Sequence, residues 1–134
     1  MSAEDNVEMI ERLFQAFGRG DAGTILAALT DDVDWQGPVS GQADTLPWAG
    51  RRRGRDQVAD YFRQFGATSE WHPMEDVVYT ASGDRVVVEG RNRNTARATG
   101  QPYEHQWVMV FTITDGRIAR FRHYYDPADI TVAL

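Results

Sequence analysis

Between residues 103 and 125 the side chains alternate in character with a period of two, and this constrains the fold more than any other feature of the chain. In "YEHQWVMVFTIT", His105, Trp107, Met109, Phe111 and Ile113 share one face, with Gln106, Val108, Val110 and Thr112 opposite. In "RFRHYY", Phe121, His123 and Tyr125 face one way, and Arg120 and Arg122 the other. Upstream, "RVVVEGRNRN" sets Val86, Val88, Gly90, Asn92 and Asn94 against Arg85, Glu89, Arg91 and Arg93. Arginine prefers water, so the aromatic and aliphatic rows should be the covered ones. An antiparallel sheet with one covered face reads this way.

The remaining segments fit that sheet. β-Branched and aromatic residues mark strands over about 74–79, 86–94, 103–114 and 118–125, separated by "SGD", "TGQP" and "TDG". Asp115-Gly116 predicts a short hairpin between the last two. The first half has a different period. Val7, Ile10, Phe14 and Phe17 recur at helical spacing, and "GRGD" ends that helix. A short second helix is expected from Asp21, carrying Ile25, Leu26 and Leu29. "DDVDW" reads as a brief strand. Residues 36–54 read as loop, and a third helix follows with Val58, Tyr61, Phe62 and Phe65 on its apolar face. Helices first and antiparallel strands afterwards give an α+β class. The length of 134 residues suits one domain over 1–134.

Absences narrow the chemistry. The chain has no cysteine and no lysine, which excludes thiolate nucleophiles, disulfides, cysteine metal sites and lysine Schiff bases. Its three histidines show no metal-binding spacing, so no metal and no cofactor are expected. The net charge of −6 argues against nucleic acid as a partner. The basic run "GRRRGRD" is expected to be a solvated turn leading into a helix. No apolar stretch approaches a membrane span of roughly 20 residues. The acidic N-terminus lacks a signal-peptide pattern, so the expected compartment is the cytoplasm.

The inward rows are not uniformly apolar. His105, His123, Asn92 and the Tyr125 hydroxyl stand among aromatics, with Trp35 and Trp107 as flat walls. Polar groups buried together imply either a satisfied network or a cavity holding a ligand. Expected ligand-binding residues are Trp35, Val88, His105, Trp107, Met109, Phe121 and Tyr125. His123 and Asn92 are the catalytic candidates. His123 would serve as an acid–base group or as a hydrogen-bonded core residue. Asn92 would fix a carbonyl or water, or satisfy a sheet neighbour. His105 is expected at the rim. Trp48 would be a lid or a core anchor, and Asp126 would cap a turn.

"RLFQAFGRGD", "LTDDVDW", "GRDQVADYF", "SGDRVVVEGR" and "F.ITDGRIARFRHYYD" together resemble the nuclear-transport-factor-2-like superfamily, in its SnoaL-like branch. The resemblance implies a cone: three helices packed into a strongly curved, mostly antiparallel sheet that encloses a pocket. It also implies where relatives carry their chemistry. The catalytic positions of ketosteroid isomerases fall on Leu13, Gly37 and Met109, which cannot perform that reaction. Those of limonene epoxide hydrolases fall on Asn92, Gly90, His123, Trp35 and Gly37, without the arginine or the acids. The histidine and aspartate of SnoaL cyclases fall on Met109 and His123. His123 thus takes an acid–base position in two comparisons, and an ordinary histidine accepts protons near neutral pH.

The expected function is a small-molecule enzyme moving a proton on an apolar substrate, cyclic or open-chain: an isomerase, cyclase, dehydratase or hydrolase. The alternatives are a non-catalytic ligand-binding or sensing module and an interaction scaffold. Val108 and Val110, on the face opposite the pocket row, point to a homodimer.

Overall fold

In the computed structural model, residues 2–39 and 46–134 are described, so the centre of the loop expected over 36–54 lies outside them. Helix α1 (Ala3–Gly18) begins at a capping box: Ser2 Oγ accepts from the Asp5 N–H at 3.1 Å and Asp5 Oδ2 accepts from the Ser2 N–H at 3.2 Å. Its most deeply buried stripe is Met9, Ile10, Leu13 and Ala16, with Val7, Phe14 and Phe17 half-covered beside it. Helix α2 (Ala22–Ala27) is capped by Asp21, whose carboxylate accepts from the Thr24 N–H at 3.1 Å. Helix α3 (Gly54–Thr68) anchors through Val58 and lays Phe62 and Phe65 toward the interior.

Seven strands form one sheet: β1 (Leu29–Gln36), β2 (Arg51–Arg53), β3 (Ser69–Glu70), β4 (Glu75–Ser82), β5 (Arg85–Ala96), β6 (Pro102–Thr114) and β7 (Arg117–Tyr124). Their order is β2-β1-β7-β6-β5-β3, and β4 pairs with β5 alongside β3. All pairs are antiparallel except β1 with β7, which run parallel with Trp35 opposite Phe121. The β6–β7 hairpin turns on Asp115 and Gly116, at φ 51° and 76°. Two successive positive φ values are what a tight two-residue connection between twisted strands requires. Three residues after Gly116, at Ala119, a bulge shifts the register. It moves the inward row from Ile118 to Phe121 and His123.

Three differences from the sequence reading have physical causes. The "RRR" run is an edge strand, not a solvated turn. Its outer residues face water, as suits an edge. Arg52, however, folds inward onto Asp60 at 2.9 Å and onto the carbonyls of Gln57 and Pro47. Among the described residues there are four helices, not three. Helix α4 (Ala128–Thr131) is a single turn, too short to show a period, and it tucks Ile130 against Trp48, Tyr103 and Ala96. Finally, "DDVDW" extends to an eight-residue strand because its backbone bonds to two neighbours. No helix among the described residues is long and apolar enough to cross a membrane.

Candidate functional site

The concave face of the sheet and the helices enclose a cavity of about 90 Å³. Phe14 and Phe17 of α1 and Phe62 and Phe65 of α3 form its helical side. Trp71 and Met74 cover it from the segment between β3 and β4. The sheet contributes Trp35, Asn92, Asn94, His105, Trp107, Met109, Phe121 and His123. Strand alternation therefore identified most of the sheet wall correctly. It missed the helical and loop walls. The stripe of α1 and α3 signalled Phe14, Phe17, Phe62 and Phe65, but nothing in the sequence around Trp71 signalled a cover.

Two expected wall residues lie elsewhere. Val88 is fully buried in the core and does not line the cavity. Tyr125 lies just past the end of β7, off the cavity wall. Its ring sits 4.7 Å from that of His123 and 5.2 Å from that of His105. Its hydroxyl accepts from Trp48 Nε1 at 3.0 Å. That bond and 3 % exposure make Trp48 a core anchor rather than a lid. Asp126 does cap the following turn, accepting from the Ala128 N–H at 3.0 Å.

Asn92 is committed to the protein. Its Oδ1 accepts from Trp107 Nε1 at 2.8 Å and its Nδ2 donates to the His72 carbonyl at 2.7 Å. Asn94 accepts from the His72 N–H at 3.0 Å and reaches the Tyr103 hydroxyl, which donates to Ser69 Oγ at 2.7 Å. The two asparagines thus bind the Trp71–His72 cover to β5. Asn92 also holds the Trp107 indole across Gly90, where a Cβ would stand 2.7 Å from the ring. Asn92 and His123 share the wall without a hydrogen bond between them. The geometry of Asn92 is that of the sheet-neighbour alternative: both ends of its amide are bonded within the protein.

His123 points inward, as alternation requires, and is 9 % exposed; its ring packs on Phe121, Trp107 and Tyr125. His105 is 7 % exposed, between Tyr103 and Tyr125, so it is not at the rim. His123 Nε2 and His105 Nδ1 are buried with no hydrogen-bond partner among the described residues. Desolvation pushes His123 down to about 3, helped by His105, and pushes His105 down to about 4. Both rings are therefore neutral near pH 7, and the free His123 is a far weaker base than an ordinary histidine. No group of three or more potential metal ligands occurs among the described residues.

The model of the SnoaL-like domain matches residues 10–121 of this chain. YesE of Bacillus subtilis strain 168, an uncharacterised protein, is 32% identical over 79 residues, covering 59% of this chain and 52% of YesE. The chain thus spans about half the length of that relative. Among solved structures, an NTF2-like protein of Burkholderia xenovorans LB400 superposes with a TM-score of 0.87 at 28% identity, covering 99% of this chain and 98% of that one. A candidate polyketide cyclase of Silicibacter sp. TM1040 superposes with a TM-score of 0.78 at 25% identity, covering 95% of this chain and 93% of that one. A helix-filled, curved sheet of this strand order, matched by the family model over 10–121, makes this chain a member of the SnoaL-like domain family, within the NTF2-like superfamily.

Proposed function

We propose that this protein is a small-molecule enzyme of the SnoaL-like kind, acting on an apolar, cyclic substrate by proton transfer at His123. The observation that carries the reading is a buried histidine on the wall of a mostly apolar cavity, His123, whose Nε2 has no hydrogen-bond partner among the described residues. A buried imidazole without a partner is an unfavourable arrangement that a ligand relieves. The likeness to the Silicibacter protein, itself a candidate polyketide cyclase, supports the same class. The free imidazole is too weak a base to act alone. Catalysis would begin with the neutral ring set against a substrate carbonyl. His123 takes the proton of the carbon next to the carbonyl as the C–H electron pair passes to the carbonyl oxygen; the enolate charge beside the ring raises its affinity for that proton, and return of a proton to carbon restores the neutral ring. Asn92 acts one step back, by fixing Trp107 and the cover.

A reaction-neutral test is deuterium exchange at the carbon next to the carbonyl of small cyclic ketones, followed by NMR in D2O. The protein should accelerate exchange, and His123→Asn should lose about 10²–10⁴ of that acceleration with the fold intact. Exchange at the buffer rate for every ketone would reject proton transfer. A lowered melting temperature in His123→Asn without loss of exchange would assign His123 to structure.

The same reading includes a homodimer. On the outer face of the sheet, Val78 and Tyr124 are more than half exposed beside the partly covered Val108 and Val110. Light scattering at micromolar concentration should give twice the mass of 15.1 kDa. A monomer mass would contradict it.

A further inference from the structure

The outer face of the sheet, opposite the cavity, is unevenly charged. Where β2, β1 and β7 run side by side, Arg53, Asp34 and Arg120 stand in one cross-strand row and Arg51, Gln36 and Arg122 in the next. That corner carries four guanidinium groups and one carboxylate, and Arg122 already holds the carboxylate at 2.8 Å. At the diagonally opposite corner, on β4, β5 and the start of β6, Glu75, Asp76, Glu89 and Glu104 outnumber Arg91 and Arg93. Between the corners runs a diagonal of Tyr124, Val108, Val110 and Val87, none of them sealed from water. One charge on each flank of that diagonal is unanswered: neither Arg120 nor Glu89 forms an ion pair among the described residues.

We propose that a second copy of this chain covers this face about a two-fold axis lying along that diagonal. The arginine corner of each copy then lies over the acidic corner of the other, and Glu89 meets the partner's Arg120. The proposal rests on the homodimer reading given above and specifies how the two copies face each other. Three properties of the face lead to it. The first is symmetry. A two-fold contact sets one patch against itself, so residues on the axis meet their own copies. A line of uncharged side chains suits that place. The second is position. Glu89 follows Val87 on one side of the diagonal, and Arg122 and Arg120 stand on the other. Folding the face along the line brings these charges together. An axis turned by a right angle would instead set arginine corner on arginine corner, which like charges oppose. The third is balance. A separate polyanion would meet the acidic corner as well as the basic one, whereas a second copy answers both.

The test uses the full chain in three forms: native, Arg120→Glu and Glu89→Arg. Sedimentation equilibrium gives the dimer dissociation constant, and circular dichroism checks the fold. A two-fold dimer contains the contact twice, so either reversal creates two repulsions. Each variant should dimerise at least about tenfold more weakly than the native protein at low salt. Mixed one to one, the two variants should pair with each other about as tightly as native copies do. In that heterodimer the introduced carboxylate faces the introduced guanidinium, and the untouched Glu89 faces the untouched Arg120. Native mass spectrometry identifies it by mass. The native dimer should also weaken as sodium chloride rises to about 1 M, where screening leaves a Debye length of about 3 Å. Variants that dimerise as tightly as the native protein, or that dissociate and fail to pair when mixed, would overturn the arrangement and leave the dimer reading standing. If neither variant folds, the salt series on the native protein decides, and a dissociation constant that does not respond to salt refutes the charge pairing. A native protein that stays monomeric would remove the dimer reading and the arrangement together.

Discussion

Lowering the pH from 7 to 5 should destabilise this fold by about 2 kcal/mol for each of its two buried histidines. His123 is held at about 3 and His105 at about 4, against 6.5 for a free imidazole. Between those values the unfolded chain carries protons that the folded chain refuses. Stability therefore rises with pH across this window, and is lost as pH falls below 6.5 toward the folded values. Each pH unit below 6.5 removes about 1.4 kcal/mol per group, so pH 5 removes about 2 from each and about 4 from both. That is a large share of the roughly 5–15 kcal/mol that stabilises an ordinary domain. Carboxylates do not confuse the window. Asp34, hydrogen-bonded by Arg122, sits below its ordinary 3.8, so its contribution is lost only at lower pH. Urea titrations followed by tryptophan fluorescence at pH 7, 6 and 5 read the effect directly. The midpoint should fall with the slope of the transition unchanged. His123→Phe should remove about half of the pH dependence. A midpoint that holds steady from pH 7 to 5, or a full pH dependence in His123→Phe, would show that these rings are not desolvated as the packing implies.

Three further substitutions test the frame of the site. Gly90→Ala places a methyl 2.7 Å from the Trp107 ring, so it should cost about 1–3 kcal/mol by urea titration and alter the tryptophan emission. Asn92→Ala strands both Trp107 Nε1 and the His72 carbonyl; a loss of about 1–3 kcal/mol is expected, with faster proteolysis near Trp71. Gly116→Ala puts a Cβ on a residue at φ 76°, and should lower stability by about 1–2 kcal/mol while leaving ligand binding unchanged.

Periodicity alone determined the class of this fold and the sheet wall of its site. A side chain on a strand has only two directions, so one row of arginines at 120 and 122 forces Phe121 and His123 to the other side. The same rule placed Trp107, Met109 and Asn92 around the same space. Turn chemistry placed the last hairpin, because Asp115-Gly116 tolerates the positive φ that the connection needs. What alternation cannot supply is depth along the strand or partners across it. Val88 and Trp107 point to the same face, yet one is sealed in the core and the other walls the cavity. The amide of Asn92 could have met a ligand; only the fold brings Trp107 Nε1 and the His72 carbonyl to it from 15 and 20 residues away. The edge strand of Arg51–Arg53 arose from backbone pairing to β1 and from Asp60, neither of which leaves a local signature. The proton affinity of His123 belonged to the tertiary structure entirely. Sequence makes it a histidine, with an ordinary value of 6.5, and burial against Phe121, Trp107 and Tyr125 makes it a neutral one.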